Sequence, residues 1–232
     1  MEKVNIKMGR DKFYCFLRSN NLLVPKTKRH FITTNSKHLF FKYKNLVKEK
    51  VPSRAEQLWV SDITYIKTDK GHSYLALVTD AYSKQIMGYK LASHMKTSLC
   101  TAALKMAIKN RKYPTLKLIH HSDRGIQYCN PAYISFAEQN NIALSMTEKY
   151  DPYENAVAER INRTLKYEYG LKQTIKNTTL AKKITKRAVE IYNNKRPHLS
   201  LNLETPKSVH LNQNIDYRSY RKNKKNVELL TI

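Results

Sequence analysis

The feature that most constrains the fold is a run of three predicted strands joined only by short turns. β-Branched and aromatic residues fill Leu58 to Ile66, Tyr74 to Val78 and Ile86 to Leu91. The turns at Asp69-Lys70-Gly71 and Ser83-Lys84 are too short for a crossover connection, so neighbouring strands must run antiparallel. The pattern therefore predicts an antiparallel three-stranded meander.

After the meander, the sequence predicts helices and strands in alternation. The predicted helices cover 97–110, 131–140, 152–169 and 180–193, and the predicted strands cover 116–120 and 142–145. Thr97 is predicted to be the N-cap of the first helix, and Asp151-Pro152 to cap and open the third. The order βββαβαβα indicates an α/β fold with a mixed five-stranded sheet and helices packed on it.

Charge divides the chain into three regions. The formal net charge is +25, which favours a polyanionic partner such as DNA or RNA. Residues 1–57 carry 14 Lys and Arg against 4 Asp and Glu, residues 160–232 carry 17 against 5, and residues 58–159 carry 12 against 9. We therefore expect a basic N-terminal arm over 1–56 that includes a short helix near 10–18, a core over 57–210, and a basic tail over 211–232.

Other features of the sequence bear on location. The chain has no apolar run of the roughly 18 residues that a membrane span needs, and Met1 to Asn5 is not typical of a signal peptide. Its three cysteines form no CxxC pair, which argues against a disulfide framework or a zinc finger. We therefore expect a cytoplasmic protein with reduced cysteines that is not associated with a membrane.

Three of the nine acids in the central region stand out from the rest: Asp62, Asp123 and Glu159. Asp62 interrupts an apolar strand, where a buried carboxylate requires a cation; a solvent-facing position is the alternative. Asp123 follows a strand, where α/β folds place ligand sites, although an Asx turn before Gly125 is equally compatible. Asp80 is predicted to be an ordinary turn residue.

Glu159 lies in the middle of a predicted helix. At helical spacing it shares a polar stripe with Asn155, Arg163 and Lys166, with Asn162 at the edge of that stripe. An ion pair with Arg163 is the ordinary alternative role for it. Three carboxylates together can hold two Mg²⁺ or Mn²⁺ ions, and such ions catalyse phosphoryl transfer.

Three motifs then show a family resemblance. The segments are Trp59 to Ile66, His121 to Tyr128 and Tyr153 to Glu159, with 60 residues between Asp62 and Asp123 and 35 between Asp123 and Glu159. Together they resemble the catalytic core of DDE transposases and retroviral integrases, most closely the second-frame protein of insertion-sequence-three-family transposases. Lys166, seven residues after the glutamate, and the segments Tyr192 to His198 and Thr205-Pro206 fit the same family.

The resemblance implies a ribonuclease H-like fold and metal-dependent cleavage and joining of DNA. It implies that the three acids are the catalytic and metal-binding residues for two Mg²⁺ or Mn²⁺ ions. It also implies a multimer that brings DNA ends together, and a bacterial protein located at the nucleoid. Within the arm, Gly9 to Arg29 resembles only the end of the family's N-terminal helix–turn–helix region, so a separate helix–turn–helix partner protein from the first reading frame is expected. We expect DNA contacts from six residues: Lys166, Arg163, Asn155, Arg124, Lys195 and Arg196. A ribonuclease H-like nuclease and a truncated, non-catalytic DNA-binding remnant are the alternatives.

Two further features are left open at this stage. His120-His121 has no Cys or His partner at zinc spacing, so a structural or phosphate-facing role is favoured over metal binding. The 16 tyrosines include candidates for base stacking, although most are expected to be half-buried core residues.

Overall fold

The computed structural model describes residues 8–23, 38–48, 50–148, 155–212 and 228–230. Contacts divide the chain into two compact units, residues 1–31 and 32–232. In the first unit, helix α1 covers Arg10–Ser19 and buries none of its side chains. The predicted opening of a helix at Asp151-Pro152 and the Lys- and Arg-rich stretch 217–226 lie outside the described residues.

The second unit contains the predicted α/β core. Its strands are β1 Lys50–Val51, β2 Leu58–Thr68, β3 Gly71–Asp80, β4 Ile86–Ala92, β5 Leu118–Ser122, β6 Ile142–Met146 and β7 Glu228–Leu229. Its helices are α2 Thr97–Lys109, α3 Pro131–Gln139, α4 Ala156–Glu168, α5 Thr178–Lys195 and α6 Pro206–Asn212. A short 3₁₀ turn, Leu199–Leu201, precedes α6.

Five of these strands form one mixed sheet in the order β4-β3-β2-β5-β6. The pairs β2–β3 and β3–β4 are antiparallel, whereas β2–β5 and β5–β6 are parallel. The antiparallel meander and the mixed five-stranded sheet are therefore confirmed. Alternation along β2 directs Ile63 to the hydrophobic cluster built with α2 and α3, and Ile66 to the cluster built with α4 and α5.

The predicted N-cap of α2 is wrong. Thr97 is the first residue inside the helix, and Lys96 occupies the cap position in an extended conformation without a side-chain cap bond. The helix is held instead by close packing on the sheet, because a Cβ added at Gly88 would lie 2.1 Å from the carbonyl oxygen of Ala103. Tertiary packing therefore overrides the local capping preference.

A buried ion network joins α6 to the sheet. Glu56 and Asp80 are fully buried, and His210 of α6 is 2% exposed. The Asp80 carboxylate accepts hydrogen bonds from the Glu56 backbone N–H at 2.7 Å and from the Ser83 hydroxyl at 2.7 Å. His210 lies 3.2 Å from Glu56 through Nε2, and Arg111 contacts the same carboxylate at 3.2 Å. Asp80 thus ends its strand in a turn, as predicted, and is also part of this network.

Residues from the far end of the chain complete the core. Strand β7 pairs in parallel with β1, and the buried Leu230 packs in a cluster that includes Val60 of β2 and Ala158 of α4. The Gln57 side-chain amide donates to the carbonyl of Leu230. The residues after 211 therefore include a segment that packs on the sheet, beside the two elements that carry Asp62 and Glu159.

Candidate active site

Asp62 is placed where β2 extends past its parallel neighbour. The pairing of β2 with β5 stops at Val60, so the side chain two residues later is open on that edge. Its Oδ2 accepts a hydrogen bond from the Asn162 amide at 2.7 Å, and its Oδ1 accepts one from the Ile63 backbone N–H at 2.8 Å. Burial, followed by the negative charge of Asp123 and more weakly that of Glu159, raises the pKa of Asp62 to about 7.

Asp123 immediately follows β5, at the carboxyl end of a parallel strand. Its Oδ1 accepts a hydrogen bond from the Gly125 backbone N–H at 3.0 Å, which is the Asx turn that the sequence left as an alternative. The turn and the functional placement occur together, because the same residue lines a pocket with Asp62. A Cβ at Gly125 would lie 3.0 Å from Asp123 Oδ1, so a side chain there would crowd the carboxylate.

The pocket lies between β2, the loop after β5 and the loop before α2. Its lining residues are Asp62, Ile63, Met95, Asp123, Gly125, Gln127 and Tyr128. The Gln127 side-chain amide donates to the Met95 carbonyl at 3.0 Å and so ties the two loops together. Gln127 lies inside the second motif, but Met95 carried no signal in the sequence, because its role depends on contact between distant loops.

Glu159 lies near the pocket without lining it. It is exposed on α4, and its charge contributes to the raised pKa of Asp62. Across the described ranges, no three His, Cys, Asp or Glu side chains are gathered tightly enough to hold a metal ion. The structure therefore brings Asp62 and Asp123 together, with Glu159 within electrostatic range.

The polar stripe on α4 differs from its prediction at the two asparagines. Asn155 is 6% exposed and donates through its amide to the Ser61 carbonyl at 3.0 Å. Asn162 is 5% exposed and donates to Asp62. Both face β2, because the open edge of that strand presents oxygen acceptors that an amide can satisfy. Only the order of side chains along the helix hinted at Asn162, which follows Glu159 by three residues.

Lys166 and Arg163 lie further along the same helix. Burial lowers the pKa of Lys166, nearby Lys172 lowers it further, and the charge of Asp62 opposes the shift. Lys166 is therefore within electrostatic range of the pocket carboxylate. Arg163 is exposed, with its guanidinium 5.8 Å from the centroid of the Tyr167 ring.

The remaining predicted DNA contacts are spread over other elements. Arg124 follows Asp123 and is partly buried, and Lys195 is exposed at the end of α5. Arg196 makes a two-pronged ion pair with Glu168, at 2.6 and 2.8 Å, and lies over the Tyr192 ring. The structure does not bring Lys195 and Arg196 into the pocket lining.

The adjacent histidines have structural contacts. His120 Nε2 lies 2.7 Å from the Ser61 hydroxyl and 3.0 Å from the Tyr133 hydroxyl. Burial, together with the neighbouring His121, lowers the pKa of His120 to about 3, so the ring is neutral. His121 Nδ1 lies 2.9 Å from the Ser145 hydroxyl. Both rings join neighbouring elements of the core, which supports the structural role that the sequence favoured.

The donor set of the pocket fits a hard divalent cation. The two carboxylates repel one another, and the pKa of Asp62 shows that burial opposes its negative charge. The amide and backbone donors on Asp62 and Asp123 fix these groups while leaving further oxygen lone pairs available. Mg²⁺ and Mn²⁺ prefer such oxygen ligands.

Comparisons with known proteins agree with this geometry and define a class. Two models of the integrase core domain match residues 52–152 and 140–206. The structure resembles the HTLV-2 integrase catalytic core domain solved in complex with magnesium in a trimeric form, with a TM-score of 0.55, 16% identity, and coverage of 69% of this chain and 99% of that one. The sheet and its flanking helices therefore form the ribonuclease H-like fold of integrase cores.

Sequence relatives narrow the class. The chain is 37% identical over 204 residues to the insertion element IS600 uncharacterized 31 kDa protein of Shigella sonnei, covering 87% of this chain and 74% of that one. It is 40% identical over 116 residues to transposase InsF for insertion sequence IS3A of Escherichia coli, covering 50% of this chain and 40% of that one. The chain belongs to the insertion-sequence-three family of transposases, a family of polynucleotidyl transferases.

These matches do not favour either a plain nuclease or a non-catalytic remnant. Throughout the described segments, no helix combines the length and apolar character needed to cross a membrane.

Proposed function

We propose that this chain cleaves DNA strands and joins them to a target, with Asp62, Asp123 and Glu159 as its catalytic and metal-binding residues. The observation that carries the proposal is the meeting of Asp62 and Asp123 at one pocket, next to the open edge of β2, in a chain with an integrase core. Glu159 would complete the set, because its charge already acts on Asp62 from the facing helix.

We propose Mg²⁺ or Mn²⁺ as the cofactor, with two ions held by the three carboxylates. When bound, such ions supply charge stabilisation at phosphorus and activate the attacking hydroxyl. The protein's own contribution is positioning: Asn162 holds the Asp62 carboxylate, and the Gly125 backbone N–H holds that of Asp123. The magnesium complex of the HTLV-2 core domain supports this choice of cofactor.

We propose Lys166, Arg163, Arg124 and Lys195 as contacts to DNA phosphates. Lys166 is about 10 Å along the helix from Glu159, which suits a phosphate beside the scissile bond better than a metal ligand. Asn155 and Arg196 were expected to contact DNA as well. The Asn155 amide N–H and the Arg196 guanidinium are engaged with Ser61 and Glu168, so we propose that these two residues position their neighbours.

We propose that the chain acts on DNA as a multimer, in the cytoplasm at the nucleoid. The net charge of +25 supports a DNA partner, and the trimeric form of the HTLV-2 core domain supports self-association. A separate helix–turn–helix protein from the first reading frame would supply recognition of the element ends. We propose three regions: an arm over 1–56, a core over 57–210 and a tail over 211–232. Glu56 of the arm and Leu230 of the tail pack with the core, and the basic residues of the arm and tail would bind phosphates.

The test is a cleavage and joining assay on labelled element-end DNA with Mg²⁺. We expect Asp62→Asn, Asp123→Asn and Glu159→Gln each to reduce the product by on the order of 10³-fold or more, because each change removes one member of a group that acts as a unit. Glu190→Gln on the exposed face of α5 is the matched control and should retain full activity. Activity in any one of the three carboxylate variants would remove that residue from the assignment.

A further inference from the structure

Two tyrosines lie side by side on the β2–β3 hairpin. Tyr65 and Tyr74 are direct cross-strand partners, with ring centroids 5.1 Å apart and ring planes tilted by 58°. The His72 ring lies 5.9 Å from the Tyr65 ring, edge to face. Both tyrosines are partly buried, and within the described part of the chain neither hydroxyl has a hydrogen-bond partner.

This pair differs from two tyrosines of the core. Tyr133 and Tyr192 are fully buried, and their hydroxyls are bonded to His120 and to the Lys84 carbonyl. A buried tyrosine normally has such a partner, because burying an unpaired hydroxyl costs free energy. Tyr65 and Tyr74 are only partly buried, and Tyr74 packs with one side against the core cluster, so the pair lies at the border between the core and the surface.

The pair continues the wall of the pocket. Ile63 lines the pocket, and Tyr65 is the next residue of β2 on the same face of the sheet. Two residues of a strand span about 7 Å, which equals about two base steps of a DNA strand. Asp62 faces the opposite side of the sheet, toward Asn162 of α4, and it is Ile63 that lies on the face of the tyrosines. A DNA strand that contacts Ile63 in the pocket would therefore bring a base about two steps further on to the tyrosine pair.

The charges around the pair suit a nucleic-acid backbone. The exposed side chains on this part of the hairpin and on β4 are Lys67, Asp69, Lys70, His72 and Lys90, with three cations against one carboxylate. Lys67 is opposite His72 in the register, directly beside the tyrosines. Aromatic rings flanked by lysines are the arrangement by which proteins bind single-stranded DNA, the rings stacking on bases and the lysines contacting phosphates.

We infer that Tyr65 and Tyr74 form a stacking platform for one unpaired base of the DNA strand adjacent to the scissile phosphate. The inference rests on the proposed function, because it uses the position of the DNA at the pocket. The platform would hold the end of the duplex open beside the carboxylates. The competing explanation is a cross-strand aromatic pair that only stabilises the hairpin.

The experiment measures binding of element-end DNA in buffer without divalent metal, so that no strand is cut. The substrates carry an unpaired flank, and each of the first three flanking nucleotides is replaced in turn by an abasic site. We expect one abasic position to weaken binding by about tenfold, the loss typical of one stacked base. Tyr65→Leu should cause a similar loss on intact DNA and no further loss on that abasic substrate. Tyr65→Phe, which keeps the ring, should bind as wild type does.

The inference is overturned if Tyr65→Leu and the abasic site each weaken DNA binding by the same factor whether or not the other is present. It is also overturned if no abasic position weakens binding. The abasic series on the wild-type chain needs no variant, so a folding defect in Tyr65→Leu cannot hide the result. Metal-dependent cleavage by the wild-type chain is measured in parallel. If the wild-type chain cleaves DNA but the effects of Tyr65→Leu and the abasic site are independent, the platform is wrong and the proposed function stands. If the two effects are not independent but the wild-type chain does not cleave, the platform is supported and the result counts against the proposed function.

Discussion

The molecule contains a fully buried pair of acids, Glu56 and Asp80, and a partly buried pair, Asp62 and Asp123, and their charges are balanced in different ways. In the ion network, burial by itself raises the pKa of Glu56, but hydrogen bonds from His210, from two backbone N–H groups and from Arg111 outweigh it, and the net pKa is lowered. At the pocket, Asp62 has one amide and one backbone donor, and its pKa is raised to about 7. The protein itself supplies cations that balance the charge of Glu56 and Asp80. The charge of Asp62 and Asp123 is not balanced in this way, so this pair favours an added cation.

The difference teaches how to separate structural from functional carboxylates. Burial alone does not distinguish them, because Glu56 is more deeply buried than Asp62. What differs is the supply of cations: Glu56 has a guanidinium and an imidazole within 3.2 Å, whereas the strongest charge acting on Asp62 is another carboxylate. A buried acid without its own cation is a candidate ligand for an external one.

The largest stability effect that we expect comes from neutralising one acid in each pair. Glu56→Gln should lower the free energy of unfolding by about 3–5 kcal/mol, because it leaves buried Arg111 and His210 without their counter-charge. Asp62→Asn should raise it by about 1–3 kcal/mol in metal-free buffer, because each pKa unit corresponds to about 1.4 kcal/mol. Urea unfolding of both variants measures the two signs. A change in the same direction for both would break the comparison.

The pH dependence of stability should identify the ion network separately. Asp80 and Glu56 raise the pKa of His210 to about 9 against the lowering effect of burial, from an ordinary value of 6.5. Its contribution to stability is therefore complete below about pH 6.5 and is lost as pH rises through 9. His210→Gln should be less stable than wild type at pH 6.5 and should lose less stability between pH 6.5 and 9.

Urea titrations at a series of pH values provide this measurement, with Glu190→Gln as the control that should follow wild type. If His210→Gln lost as much stability as wild type across that window, another group would be responsible for the slope.

The smallest effect concerns the amide that holds the pocket carboxylate. The 2.7 Å hydrogen bond from the Asn162 amide lowers the pKa of Asp62, and Asn162→Ala removes that bond. The pKa of Asp62 should rise further, and Mg²⁺ affinity at pH 7 should fall about fivefold, the equivalent of one hydrogen bond of about 1 kcal/mol. The loss should shrink at pH 8.5, where Asp62 is ionised in both proteins.

Isothermal titration with Mg²⁺ at the two pH values measures this effect. Asn193→Ala is the matched control, since its amide bonds the backbone of Ile86 and not a pocket residue. An equal loss at both pH values would mean that Asn162 acts through packing.

Local pattern was sufficient to predict most of the core. The apolar and β-branched run from Leu58 gave a strand that the structure ends at Thr68, and helix α2 differs from its prediction by one residue. Asp62 and Asp123 were found because each interrupts or follows a strand in a way that packing alone does not explain. Their joint assignment with Glu159 is a prediction that rests on motif spacing.

The parts that sequence reasoning missed depend on contacts between distant residues. Glu56 was placed in the basic N-terminal arm, and His210 belonged to no motif, yet the two side chains meet although 154 positions separate them in the chain. Asn155 was placed on the polar stripe of α4 and Asn162 at its edge, but helical spacing does not reveal that β2 offers hydrogen-bond acceptors to both. Neither kind of contact leaves a periodic signal in the chain.

The packing of Leu230 against β2 and α4 has a consequence for how the protein is made. All five strands of the main sheet have been synthesised once Met146 has been added, but the Gln57 amide meets the Leu230 carbonyl only 173 positions after itself. At about 5–20 residues per second, several seconds of translation separate these events. During that interval all five strands are present in the nascent chain, but Leu230 does not yet cover the surface of β2 and α4 on which it packs. The packing of the wall that carries both Asp62 and Glu159 is therefore completed only after all five strands of the main sheet have been synthesised.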